Sequence, residues 1–146
     1  SFMAQALDEA RAAASRGEVP VGAVVVEAAT GRILARAGNE TEAGHDPTAH
    51  AEILALRRAA QIRGEPRLPD CDLYVTLEPC AMCAAAISHA RIRRLYFGAY
   101  DPKGGGVEHG PRFFAQPTCH HAPEVIGGLD ETAAAALLKD FFKERR

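Results

Sequence analysis

Two short stretches constrain this chain more than any others: His50-Ala51-Glu52 and, further along, Glu78-Pro79-Cys80-Ala81-Met82-Cys83. A histidine, a carboxylate and two cysteines spaced C-x-x-C are the groups that hold one zinc ion with an open fourth position beside a proton carrier. For them to meet, the fold must bring the starts of two separate elements to one point. Cys80 and Cys83 present both sulfurs on one face if they occupy the first turn of a helix, and Pro79 suits a helix start. The unpaired N–H groups and positive dipole of that start favour thiolates. His50 falls in the first turn of its own predicted helix. Three protein ligands leave tetrahedral zinc a place for water, whose pKa drops to about 7 from roughly 15.7 in bulk, which marks a catalytic site. Glu52, two residues past His50, can take that water's proton and pass it to a substrate. Either motif alone is usually a redox pair, a structural pair or chance; their conjunction points to catalysis.

The rest of the chain supplies elements that converge on such a point. Phe2, Met3, Ala6, Leu7, Ala10, Ala13 and Ala14 recur at spacings of three and four, which predicts an amphipathic helix over 2–16, ended by Gly17. Residues 19–26 are β-branched and apolar, a buried strand, and 32–37 return from a turn at 28–31 as its hairpin partner. A helix is expected over 48–62 with Asp46 or Thr48 as its cap, then a strand over 72–77, a helix over 80–90 and a strand over 92–98. That strand–helix–strand unit makes its two strands parallel, so the sheet is mixed. Residues 102–110 are glycine-rich and read as a mobile loop, 111–116 as a helical turn, and 124–127 as a weak fifth strand. A final helix over 130–143 has Asp130 placed to cap it. Helices on both faces of one mixed sheet is the architecture that follows.

With 146 residues, 47% hydrophobic and 25% charged, the chain fits one globular domain over 1–146. No apolar run approaches the roughly 20 residues of a membrane helix, and 1–4 carry neither a basic nor an apolar signal segment, which places the protein in the cytoplasm. In that setting a close cysteine pair points to metal or redox chemistry rather than a disulfide; Cys71 and Cys119 read as ordinary thiols. The net charge of −2 offers no general attraction to nucleic acid. Local cations could supply it: Arg91, Arg93 and Arg94, or the tail over 139–146, while Arg57 and Arg58 read equally well as a solvated face. His89 reads as a helix-end residue, His109 as a loop residue, and His120-His121 as an exposed or substrate-facing pair. Of the adjacent pair Phe141 and Phe142, one is expected to point outward, which makes Phe142 a candidate to stack on a nucleotide.

Across 45–53 and 73–83 the chain closely resembles the bacterial tRNA-specific adenosine deaminases of the cytidine deaminase-like superfamily. The likeness continues through 18–24, 90–92, 97–101 and 140–146. The resemblance implies a three-layer α/β/α sandwich around a five-stranded mixed sheet, with one zinc per subunit held by His50, Cys80 and Cys83 and Glu52 as proton shuttle. It further implies attack at C6 of adenine, protonation of the neighbouring ring nitrogen by Glu52, and loss of ammonia to leave inosine. Asn39 would bond the flipped base, the Ala51 N–H would meet its polar edge, and Asp101 would lie on the nucleotide-binding loop; Pro79 and Phe142 are further candidate substrate contacts. Such proteins are homodimers acting on the wobble adenosine of an arginine tRNA anticodon stem-loop. The sequence departs from the family pattern at 103–121, which is glycine-rich and slightly long, with Cys119-His120-His121 where an asparagine–histidine pair is expected. Two other functions share parts of the pattern: deamination of a free nucleobase or nucleoside of guanine or cytosine type, and a catalytically silent zinc subunit that binds RNA or a partner, for which Glu52 has no use.

Overall fold

In the computed structural model, which describes residues 1–145, the chain begins with α1 (Phe2–Ser15), capped by the Ser1 hydroxyl on the Ala4 N–H at 3.1 Å. Arg16 closes this helix and Gly17 follows at φ +84°. β1 (Gly22–Glu27) and β2 (Arg32–Gly38) form the expected hairpin, with one slip in register between Val25 and Val26. β1 starts later than the apolar run suggests. Pro20 has no N–H to give a ladder, and the Val21 N–H folds back onto the Val19 carbonyl at 2.8 Å, a tight turn before the strand.

α2 (Ala51–Arg63) leads to β3 (Cys71–Leu77), α3 (Ala81–Ala90) and β4 (Arg94–Ala99). β3 and β4 are parallel, as the strand–helix–strand reading requires, and β5 (Glu124–Ile126) adds a further parallel strand. β1 lies antiparallel to both β2 and β3, so the sheet is mixed, in the order β2-β1-β3-β4-β5. α2 and α3 cover one face, and α1 and α4 (Glu131–Glu144) cover the other. This is the expected three-layer α/β/α sandwich with five strands.

The strand period divides the core between these layers. Val25, Leu73, Leu95 and Phe97 pack towards α2 and α3 against Ala55 and Ile87, while Val24 and Val26 face Met3, Ala6 and Leu7 of α1. α1 can approach β1 because position 22 is glycine: a Cβ there would stand 1.9 Å from the Ala6 carbonyl oxygen.

Several element ends differ from the sequence expectation. α2 begins at Ala51 rather than 48, because Asp46 Oδ1 accepts both the N–H (2.9 Å) and the hydroxyl (2.7 Å) of Thr48 in a turn that holds 46–48 outside the helix. His50 is therefore the N-cap residue, extended at φ −70°, ψ 152°, and Cys80 stands at the same position of α3 at φ −71°, ψ 175°. Asp130 precedes α4 at φ +56° and makes no side-chain cap; an N-cap needs an extended backbone. β4 begins after a left-handed Arg91 at φ +61° that ends α3 and turns the Ile92 N–H back to the Ile87 carbonyl. Residues 111–116 hold a short 3-10 turn at Phe113–Ala115. Among the described residues no helix is long and apolar enough to cross a membrane.

Candidate active site

The carboxyl end of β3 delivers Glu78, Pro79 and Cys80 to the start of α3. Because β1 runs antiparallel to β3, pairing Ala23 with Val75, the start of β1 and the end of β2 lie at that same edge of the sheet. The loop after β2 brings His50 there. Ligand crevices of open α/β sheets form at such an edge.

His50 Nδ1 stands 3.6 Å from Cys80 Sγ and 3.5 Å from Cys83 Sγ, and the three donor atoms lie within 4.8 Å of one another. Zinc bonded at about 2.05 Å to nitrogen and 2.3 Å to sulfur, at tetrahedral angles, requires an N···S edge of about 3.6 Å. The donor set therefore has the spacing as well as the chemistry of a zinc site. Neither His50 nor Cys80 spends its side chain on capping its helix, although both hold the cap position.

Charge is distributed unevenly over this cluster. The Cys80 thiol is pulled down to about 4, first by the hydrogen bond from Cys83 and, against the cost of burial, by His50. Cys83 is driven up by its bond to Cys80, by burial and by the neighbouring Glu52 charge. The protein alone thus favours one thiolate and resists a second, and a dication removes that resistance. His50 is raised, chiefly by its bond to Cys80. Glu52 is 4% exposed, and burial, helped by the Cys80 charge, pushes its carboxyl up to about 7 against the pull of its own backbone N–H and, more weakly, of His50. A carboxyl poised near neutrality beside a metal-binding cluster can both accept and return a proton.

A cavity of about 320 Å³ opens over the cluster, lined by His50, Glu52, Cys80, Asn39, Asp101 and Gly104 among others, within the usual range of roughly 300–1,000 Å³ for small-ligand sites. Asn39 is buried and its Oδ1 accepts the Ala51 N–H at 2.8 Å, so the N–H expected at the edge of a base is already committed. That bond turns the Asn39 amide nitrogen away from Ala51. Pro79 is buried and outside the cavity lining, with its carbonyl taken by the Gly106 N–H at 2.7 Å. Phe142 is 50% exposed and lines an adjoining hollow that shares Val19, Leu77, Asp101 and Gly104 with the main one. Phe141 is the buried member of the pair.

Residues 1–99 match the family model of the cytidine and deoxycytidylate deaminase zinc-binding region. The tRNA-specific adenosine deaminase of Agrobacterium fabrum (strain C58) is 62% identical over 99% of this chain and 94% of its own length, and that of Bacillus subtilis (strain 168) is 41% identical over 99% and 89%. The chain belongs to the tRNA-specific adenosine deaminase family. A structure from a study of A-to-I editing by tRNA:A34 deaminases superposes with a TM-score of 0.91 at 63% identity, covering 94% of this chain and 98% of that one. A guanine deaminase from Nitrosomonas europaea shares the fold at a TM-score of 0.83 and 26% identity, over 96% and 82%. Zinc is the metal that this deaminase family and this donor set have in common.

Other groups in this deaminase stand apart from the site. Arg93 pairs with Asp72 through two bonds of 3.0 and 2.8 Å, Arg94 with Glu124 at 2.7 Å, and Arg91 with the Ser88 carbonyl at 2.8 Å. These arginines precede or open β4, whereas the cavity lies at its far end, so none of them lines it, and Arg93 and Arg94 are each paired with a carboxylate. Arg58 is paired with Glu40, and Arg57 is exposed. In the tail, Lys139 and Lys143 are exposed and Arg145 lies 3.6 Å over the Phe141 ring, while Arg146 lies outside the described residues. His121 Nε2 donates to the Ile92 carbonyl at 2.7 Å, which makes His121 a staple at the far end of α3. His89 and His120 face each other nearby.

Glu78 was legible only as a neighbour of the cysteines, yet it organises one wall of the cavity. Its carboxylate accepts the N–H groups of Asp101, Val107, Glu108 and His109 and a bond from His109 Nδ1. Burial opposes its charge, but these donors hold its carboxyl below the ordinary range. The glycine-rich loop, expected to be mobile, is thus anchored at its centre.

Proposed function

We propose that this chain converts the wobble adenosine of a tRNA anticodon, that of an arginine tRNA, to inosine with release of ammonia, as a cytoplasmic homodimer with one zinc in each subunit. The observation that carries this reading is the Glu52 carboxylate buried beside the His50, Cys80 and Cys83 donors in a cavity that Asn39 also lines. Relatives over nearly the whole chain carry the name tRNA-specific adenosine deaminase, which supports the substrate class.

His50 Nδ1 and the sulfurs of Cys80 and Cys83 would hold the zinc, which when bound lowers the pKa of a water beside it to about 7. Glu52 takes a proton from the attacking water and delivers it to the ring nitrogen next to C6. The carboxylate then takes the proton of the new C6 hydroxyl and hands it to the amino group, so that the C6=O bond forms as the C6–N bond breaks and ammonia leaves. Water and adenosine are consumed, inosine and ammonia are formed, and Glu52 ends in the state in which it began. Its near-neutral pKa suits both directions of transfer. The amide nitrogen of Asn39 is the donor for an acceptor on the purine edge, and Asp101 contacts the nucleotide at the cavity rim. An anticodon base must leave its stack to reach a site this enclosed, and Phe142 offers an exposed ring for a neighbouring base.

A second reading, deamination of a free purine, draws on the fold shared with a guanine deaminase. The two separate on one experiment. The zinc-loaded protein is incubated with an arginine tRNA anticodon stem-loop and, separately, with free bases and nucleosides, and inosine and ammonia are measured. Inosine in the stem-loop supports the first reading; ammonia from free bases alone supports the second.

A further inference from the structure

Glu78 has no place in the proton transfers above, yet it spends a fully buried carboxylate at the edge of the cavity. Two features of its bonding bear on what it does. Four of its five hydrogen bonds come from backbone N–H groups, between 2.9 and 3.2 Å, so it sets the path of the main chain whatever side chains the loop carries. The fifth, from His109 Nδ1 at 2.8 Å, closes the ring of donors.

The loop also lies flush against the segment that carries the cysteines. A Cβ at Gly105 would stand 2.3 Å from Glu78 Oε2, and one at Gly106 would stand 2.5 Å from the Ala81 nitrogen. The Gly106 N–H bonds to the Pro79 carbonyl at 2.7 Å, and the Glu78 N–H bonds to the Ala99 carbonyl at 2.8 Å, which extends the β3–β4 pairing by one residue. The base of the carboxylate is therefore as rigid as the sheet. Three consecutive residues link the loop to the metal cluster: Glu78 through its side chain, Pro79 through its carbonyl and Cys80 through its sulfur. At the near end of the loop, Asp101 donates to Glu78 and accepts the Gly104 N–H at 2.9 Å, and both Asp101 and Gly104 line the cavity.

We propose that Glu78 is a positioning residue for substrate: it fixes the distance between the metal cluster and the cavity wall formed by Asp101 and Gly104, and so fits that wall to the nucleotide. This rests on the cavity being the substrate site proposed above. Glu78 acts on binding rather than on the bond-breaking step, because Asp101, which it holds, lines the cavity, while Glu52 and Cys83 sit on α2 and α3 and His50 and Cys80 at their N-cap positions.

The test compares zinc-loaded wild type, Glu78→Gln and His109→Ala. Glutamine keeps the size but sets an NH2 group against backbone donors, and His109→Ala removes one bond without altering the buried residue. In Glu78→Gln, amide exchange over 101–109 is expected to quicken about tenfold or more while β3 and β4 keep their protection. One zinc per chain is retained, KM for the anticodon stem-loop rises about tenfold, and kcat stays within about threefold. His109→Ala moves KM and loop exchange in the same direction, by about two- to threefold. Unchanged loop exchange, loss of zinc, or a fall in kcat at constant KM overturns the proposal. If Glu78→Gln does not fold, His109→Ala decides alone, and unchanged KM and exchange overturn it. If the wild type leaves the stem-loop unmodified, the functional reading fails, and the same exchange, zinc and KM measurements on the base that is deaminated still decide the role of Glu78.

Discussion

Asn39 Oδ1 accepts the backbone N–H of Ala51 at 2.8 Å, tying the loop after β2 to the first residue of α2, directly beside His50. The bond fixes which end of the amide is the acceptor and leaves the nitrogen as the donor for a ligand in the cavity. Asn39→Asp keeps the acceptor for Ala51 and exchanges that donor for a charged oxygen. We expect a loss in kcat/KM of about 10²-fold or more, with folding intact, since a site built to bond a substrate atom then presents an unpaired group. Asn39→Ala strands the buried Ala51 N–H as well, and denaturant unfolding should show a further destabilisation of about 1–3 kcal/mol. Equal kinetics for Asn39→Asp and wild type would remove Asn39 from the substrate contacts.

Removal of zinc tests the cluster as a whole. The Cys83 thiol resists ionisation without a cation, so stripping the metal with a chelator should return a proton to it, abolish deamination and lower the melting temperature by several degrees. Readdition of zinc should restore both. Thermal unfolding and metal analysis on the same sample check this, and a chelated sample with full activity contradicts it.

Glu18 predicts a pH dependence of stability. It is 1% exposed, and its carboxylate accepts the N–H groups of Ala43 at 2.9 Å and Glu42 at 3.1 Å, with Thr41 Oγ1 at 3.4 Å. Burial opposes the charge, but these donors prevail and hold the folded pKa below the ordinary 4.5. A lowered folded value means that the unfolded chain binds the proton more tightly. The contribution is fully present above 4.5 and is lost as pH falls through the folded value. Glu18→Gln should therefore be less stable than wild type at pH 7, with the difference shrinking below pH 4.5. Urea unfolding at a series of pH values measures it, and a difference that grows on acidification contradicts it.

Arg93 gives a contrast between charge and function. Its two bonds to Asp72, a side chain 7% exposed, make it part of the sheet edge. Arg93→Ala should lower the melting temperature and leave KM for the stem-loop, and its salt dependence, unchanged. Charge reversal at Lys139 or Lys143, exposed on α4 beside Phe142, should weaken stem-loop binding and flatten that salt dependence. A large rise in KM from Arg93→Ala would return the arginine cluster to the substrate path.

What the sequence disclosed and what it withheld divide along a physical line. His50, Glu52, Cys80 and Cys83 were legible because ligand chemistry demands those residue types at close spacings, and the structure brings them together. The five strands were legible from their periods, and the parallel pair followed from connectivity. Partners far apart in sequence were not legible. Nothing local to Arg93 or Arg94 announces Asp72 or Glu124, and nothing local to Glu78 announces the N–H groups of 101–109. Helix starts were read too early or too simply for a related reason. Asp46 and Asp130 are both residues that cap helices, but one closes a turn on Thr48 and the other adopts a left-handed backbone.

The most direct test of the account is Glu52→Ala assayed on the anticodon stem-loop, with zinc content measured in the same preparation. We expect the variant to keep one zinc per chain, because His50, Cys80 and Cys83 supply the donor set without it. Inosine formation should fall by about 10²–10⁴-fold in kcat. A zinc-loaded Glu52→Ala that still forms inosine at the wild-type rate would contradict the assignment of the proton transfers to this carboxylate.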